Sequence, residues 1–508
     1  MSRVTALLRL EAMETMRAVP ITQFRHRRLS SQPLVVVPLA MAGEAGAPLA
    51  AIVGRARHAP TLLVVEQPRD RVQRFVFAAD LGRKVMEHID SCRVDRPDNP
   101  TTKNAARSYY TDAPQILVPN PGGIAFLANL GRACRFRETG GDYPVPAGVP
   151  EFGRWLTFLA DSAEQTGTSM LMAVTDLLAE HWATGQSSLE DQNLASLTAW
   201  IAPPARIDVE QAILDAEDPT LWPPAGPVTD PTFDTNVLYP ALRDLDEARA
   251  LGDQSALSAA RTELRELLSE QINPTWRMMW QAISLLRAVP EAPSVERRFV
   301  GDRARFTAFS DHQDSTDARP QPARDGAVAA ARRLARLERA LADFEAETAM
   351  DDPFVLADRR SIGEAFAGEV IDTEPGRVVR SGKNRRTLRP LVTIRTLDPT
   401  RLADGTELIS PHMPSGHKAT IVSTVREEPV SLVTVEVTAG MGTPKTPKPE
   451  AVPDLGCCLA YLPNPGWRPN PVFPDRDDTP WTHINPAVAD SDGAIPDDIS
   501  AEEWGDDD

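Results

Sequence analysis

The chain has 508 residues, 42% of them hydrophobic and 25% charged, and a net charge of −18. That length exceeds a single core and predicts about two to four domains, while the ordinary composition excludes a fibrous chain. Four scattered cysteines exclude a disulfide framework and predict a reducing, cytoplasmic setting, and 46 prolines predict short elements and many loops rather than long uninterrupted helices.

Taken in order, the first apolar stretch, MSRVTALLRLEAMETMRAV, is short and interrupted by charge, which predicts an amphipathic helix and not a signal peptide. FRHRRLSS, residues 24–31, is a basic lead-in. Residues 1–145 read as an α/β domain. Strands are expected at LVVVPLA (34–40), TLLVVEQ (61–67), FVFAADL (75–81) and QILVPN (115–120), with helices at 81–89 and 123–134. No run is long enough to span a bilayer, so no membrane partner is expected.

Residues 150–350 read as a helical domain. RWLTFLADSAE, SMLMAVTDLLAEHWATG, LEDQNLASLTAWI, ALSAARTELRELLSEQI and TWRMMWQAISLLRAV repeat apolar residues three or four apart. Trp155, Trp182, Trp200, Trp276 and Trp280 sit at apolar positions of these stretches, which assigns them to packing. A last helix follows Asp325, with Leu334, Leu337, Leu341 and Phe344 forming a narrow seam for a partner helix. Arg332, Arg333, Arg336 and Arg339 occupy its other faces, as on a solvated surface.

From 361 to 440 the period becomes two. FAGEVIDTE, LVTIRT, TELIS, KATIVSTV and VSLVTVEV predict a small five-stranded β-barrel of OB or SH3-like type. Residues 441–474 read as a Pro-rich extension, and 475–508 as a disordered acidic tail carrying −11, which leaves only −7 for the other 474 residues. The fold class expected is therefore multidomain α+β.

The stretch EPGRVVRSGKNRRTLRP, residues 374–390, superficially resembles a phosphate-binding loop. A nucleotide loop of that type needs four residues between its glycines, a Ser or Thr after the lysine, and a helix to follow. Here five residues separate Gly376 from Gly382, Asn384 follows Lys383, and a strand comes next, after Pro390. What remains is a basic β-hairpin loop between two barrel strands. Arg377, Arg380, Lys383, Arg385, Arg386, Arg389 and Arg395 are its candidate nucleic-acid-binding residues; with Arg401, and opposed only by Asp398, they give +7 over 376–401. No Tyr, Phe or Trp occurs from 367 to 440, so backbone contact is expected rather than base stacking. Docking on an acidic protein, or on the chain's own tail, stays open beside it.

Other chemistries have weaker signals. PNPGG before a helix offers free N–H groups to an anion but is also a common tight turn. The eight histidines form no HExxH or HxH, and His412, His417, Cys457 and Cys458 match no finger spacing, so no metal and no cofactor are expected. Glu44, Glu66 and Asp70 allow a rival reading, a metal-dependent nuclease or phosphoesterase in residues 30–140.

The strings PLAMAGEAGAPLAAIVG, LVPNPGGIAFL, HWATGQSSLEDQNLASLTAWI, PPAGPVTDPTFD, TWRMMW, DGAVAAARRLARLE and RPLVTIRT resemble an uncharacterised family of actinobacterial proteins that accompany a large helicase-type ATPase. The resemblance spans most of residues 30–440 and carries over no catalytic residue. It implies a nucleic-acid-processing partner. The function expected from the sequence is thus a non-enzymatic accessory or scaffold protein that docks a partner and touches nucleic-acid backbone through the barrel loop, with a purely protein-binding module as a further alternative.

Overall fold

The computed structural model describes residues 3–43, 47–95, 108–223, 227–315, 319–381, 385–466 and 472. The fold is mixed α+β. The chain divides into two compact units, Met1–Gln321 with Ala340–Gly466, and Pro322–Arg339 with Trp467–Asp508. The acidic tail and the end of the Pro-rich extension lie outside the described residues, apart from Val472.

The first unit opens with helix α1 (Arg3–Thr15). Strands β1 (Leu34–Ala40), β2 (Pro48–Gly54) and β3 (Thr61–Val64) lead to helix α2 (Arg71–Ser91), strand β4 (Ile116–Val118) and helices α3 (Pro121–Cys134) and α4 (Val149–Ala163). Strand β5 (Leu171–Ala173) runs directly into α5 (Val174–Ala179). The sheet order is β3-β2-β1-β4-β5, with β1, β4 and β5 parallel and the β1-β2-β3 meander antiparallel. Every residue of β1 is buried, as a strand covered on both faces requires.

Two expected elements change type. FVFAADL is helical because Asp70 caps α2, accepting from Gln73 N, and because Phe75, Ala78, Leu81, Val85 and Ile89 recur three or four apart. Leu171–Ala173, expected as helix, is a strand: three apolar side chains fill the slot beside β4. Strand β2 was not expected, because Pro48, Ala50 and Ala51 in its first half carry little β signal.

Helices cover both faces of this sheet. On one face α2, α3, α4 and α10 (Val295–Gln313) enclose Val36, Val53, Phe126, Phe152, Trp155 and Phe306. On the other, α5, α6 (Leu194–Ile201), α8 (Tyr239–Leu251) and α9 (Gln254–Ala288) enclose Val35, Val37, Ile52, Leu245, Trp276 and Ile283; α7 (Val209–Glu217) lies between α6 and α8 in the chain. No break in the core therefore falls at 145–150, since each cluster joins strands before it to helices after it. Helix α9 is 35 residues long despite Pro274, contrary to the expectation of short elements. An internal proline loses one backbone bond, and burial of Trp276, Met279, Ile283 and Leu286 beyond it offsets that loss.

Helix α11 (Ala327–Asp351) begins in the second unit, where Asp325 pairs with Arg333 at 3.5 Å. Leu334 is 57% exposed. In the first unit, Leu341 is 44% exposed, whereas Phe344 lies under the guanidiniums of Arg27 and Arg298, 5.6 and 5.0 Å from its ring. The expected partner-helix seam is thus already partly used inside the protein.

Helix α12 (Pro353–Ile362) then leads into β6 (Phe366–Glu374). Strands β7 (Val378–Ser381) and β8 (Arg385–Leu388) form a separate hairpin. Strands β9 (Leu391–Thr396), β10 (Glu407–Ile409), β11 (Lys418–Glu427) and β12 (Val430–Ala439) continue, and β13 (Cys458–Pro463) ends the described fold. The closed antiparallel barrel has the order β6-β9-β12-β11-β10-β13. This corrects the five-stranded expectation and its boundary at 440. The sixth strand comes from the Pro-rich extension, pairing Tyr461 with Phe366 on one side and Pro463 with Leu408 on the other. Burial of Leu459 and Tyr461 among Val433, Val435 and Val437 drives that closure.

Candidate nucleic-acid interface

The basic stretch folds as the β7-β8 hairpin, in the register Val378↔Leu388, Val379↔Thr387, Arg380↔Arg386 and Ser381↔Arg385. Alternation puts Val378, Leu388, Arg380 and Arg386 on one face. Leu388 belongs to the barrel core and Val378 packs against it. Beyond that apolar root, the same face carries Arg380 and Arg386, both exposed.

The other candidate arginines fare differently. Arg377 donates to Glu436 Oε2 at 2.6 Å and to Arg389 O at 3.0 Å. Arg389 lies 3.6 Å from Glu436 Oε1 and donates to Thr438 O at 3.0 Å. Arg395 donates to Glu369 Oε2 at 2.5 Å across the β6-β9 pair. These three therefore clamp the hairpin root and the barrel wall, and two of them share one carboxylate on β12. Arg385 enters through its backbone, opposite Ser381, and Lys383 lies outside the described residues. The barrel's aromatic residues Phe366 and Tyr461 are fully buried, so neither offers a ring for stacking at this surface.

The remaining candidates within the described residues are engaged inside the fold. Asn120 caps α3, accepting from Gly123 N, and a side chain on Gly122 would run into Pro227, so the PNPGG turn is covered by protein. Glu66 accepts from Arg249 at 2.8 Å and Arg261 at 2.7 Å, and Asp70 is a helix cap; Glu44 lies outside the described residues. His412 Nδ1 accepts from Ala460 N at 3.1 Å, so the neutral ring carries its proton on Nε2 and has no lone pair left there for a metal. His417 Nε2 sits 3.0 Å from Tyr461 Oη inside the barrel, and burial lowers its pKa. Among the described residues no group of three or more His, Cys, Asp or Glu side chains is arranged to hold a metal ion. Trp155, Trp200, Trp276 and Trp280 are buried and Trp182 packs against the core, as expected.

The sequence reading missed the role of the basic lead-in. Arg25 pairs with Glu291 at 2.7 Å, Arg27 with Glu180 at 2.8 Å and Arg28 with Glu296 at 2.9 Å. Between them His26 lies 3.4 Å from Asp352, whose Oδ2 also accepts from Gln23 N at 2.7 Å. Asp352 is wholly buried and caps α12 through Phe354 N, so this segment fastens the barrel's supporting helices to the α/β body. A run of basic residues gives no such signal, because the partners lie more than a hundred positions away. Among the described residues no helix is long and apolar enough to cross a membrane. Comparison with family models, with curated proteins and with solved structures finds no match to this chain.

Proposed function

We propose that the protein is a non-enzymatic accessory protein that contacts nucleic-acid backbone through the β7-β8 hairpin while docking a protein partner. The observation that carries the reading is the register Arg380↔Arg386. Like charges directly opposite each other weaken a two-stranded ribbon, and a phosphate placed between two guanidiniums reverses that penalty. The clamped arginines at the root support the same reading. Arg377 and Arg389, tied to Glu436, hold the ribbon against the barrel and present the exposed pair beyond the apolar root. A helicase-type ATPase is the partner implied by the family resemblance.

The test is fluorescence anisotropy with a labelled 20-base-pair duplex and the matching single strand, comparing the wild-type protein with an Arg380→Ala/Arg386→Ala double variant. The double variant is expected to bind both at least tenfold more weakly at low salt. Equal binding by the two proteins contradicts the reading and leaves a purely protein-binding module.

A further inference from the structure

Among the described residues strand β3 is an edge strand: the sheet order gives it β2 on one side and no strand on the other. Val65 N donates to Leu49 O, which puts residues 61, 63 and 65 in the ladder with β2. The N–H and C=O groups of Leu62 and Val64 therefore turn outward. Arg265 Nη2 donating to Leu62 O at 3.2 Å fits that direction.

A groove of about 700 Å³ runs along this edge, between α2 on one lip and α8 with α9 on the other. The two lips differ in chemistry. On the α2 lip Val76 is 46% exposed and Phe77 lies behind it, while Asp80 is paired with Arg83 at 3.0 Å. The other lip carries Arg249, Arg261 and Arg265. Arg249 is shared between Glu66 and Asp246, and Arg261 is bound to Glu66. Arg265 is held by a backbone carbonyl, so three guanidiniums meet two carboxylates.

We infer that this edge accepts an extended segment of a partner protein as a sixth strand, one that alternates acidic and apolar residues. The pleat dictates the alternation: successive side chains of an added strand point to opposite faces. Those turned to α2 meet Val76 and Phe77, and those turned to α9 meet Arg265. A carboxylate there draws the Arg265 guanidinium off Leu62 O, which frees that carbonyl for an N–H of the incoming strand. This surface shares no residue with the β7-β8 hairpin, so either proposal can fail without the other.

The experiment uses the full chain and a fluorescein-labelled ten-residue peptide alternating Val and Glu. Binding by anisotropy is expected, with slower hydrogen exchange over residues 61–66. The same peptide N-methylated at alternate amides, or with Lys for Glu, is expected to bind at least tenfold more weakly. Val64→Pro, which removes an outward N–H and leaves the ladder to β2 intact, and Arg265→Glu are expected to weaken binding to the same degree. The duplex affinity of Arg265→Glu should match the wild type. Absence of peptide binding, or equal binding of the N-methylated peptide to the unaltered protein, overturns the proposal whatever the variants do. Displacement of the peptide by duplex DNA also overturns it, by assigning these arginines to nucleic acid.

Discussion

Arg380 and Arg386 stand directly opposite each other on one face of an exposed two-stranded hairpin. Charge counting gives the region +7, but the structure divides that charge by role. Arg377, Arg389 and Arg395 are bound to Glu436 and Glu369 and hold the scaffold, whereas the opposed pair faces outward. Nucleic-acid binding is expected to follow the exposed pair and not the total.

Asp352 joins the barrel's supporting helix to the basic lead-in of the α/β body. Burial alone raises its pKa, yet the His26 ring and the N–H groups of Gln23 and Phe354 outweigh that and hold the carboxyl below the usual range. Removing this carboxylate leaves the buried N–H groups of Gln23 and Phe354 without their acceptor, at about 1–3 kcal/mol each, so Asp352→Ala should lower the melting temperature sharply. Because the folded pKa is depressed, its contribution is complete above the unfolded value of about 3.9 and is lost as pH falls through the lower folded value. Asp352→Asn should flatten the acid limb of the stability curve below about pH 4; an unchanged limb would refute this role.

Two buried neutral histidines act in a higher window. Burial, reinforced by Arg55, lowers His88 to about 4; burial, with His26 and Arg25, lowers His181 to about 3. Both folded values lie below the unfolded one, so the stability they contribute is full above about pH 6.5 and declines as pH falls. Urea unfolding at pH 7.5 and pH 5 should differ by roughly 2 kcal/mol for each histidine. His88→Gln should remove about that much of the difference, and an equally steep dependence in the variant would count against it.

Gly153 sets how closely α4 crosses the end of α3. A Cβ there would penetrate the backbone of Cys134 and Arg135. Helix propensity favours alanine by about 1 kcal/mol, but overpacking against backbone costs about 1–3 kcal/mol or more. Gly153→Ala should therefore destabilise by net unfolding free energy. A stabilised variant would mean that the helices separate readily.

The barrel's true end is equally testable. A chain stopped after Gly440 lacks β13, with Leu459 and Tyr461, and should lose protease resistance across residues 366–440. A chain stopped after Gly466 should keep it. Equal resistance in both would show that five strands suffice.

The parts of this fold readable in the sequence were those with strong local periodicity: β1, the helix-forming stretches of α3, α4 and α9, and five barrel strands. What escaped depended on distant partners. Leu171–Ala173 becomes a strand only because β4 offers an edge, and Cys458–Pro463 only because β6 and β10 leave a gap that six residues close. The basic loop was visible in its charge, but its two paired strands, Val378–Ser381 and Arg385–Leu388, and the difference between Arg380 and Arg377 were not. That difference is made by Glu436, which lies 59 positions from Arg377 and comes beside it only once β12 is paired with β9.

The salt dependence of duplex binding tests the central claim most directly. Two exposed arginines, with any neighbours at the tip, neutralise about two to four phosphates, which gives a slope of log K against log salt of about −2 to −4. Arg380→Ala/Arg386→Ala should reduce that slope by about 2, whereas Arg395→Ala, whose guanidinium is bound to Glu369, should leave it nearly unchanged. A flat curve for the wild type, or a double variant with the wild-type slope, contradicts nucleic-acid contact through the hairpin.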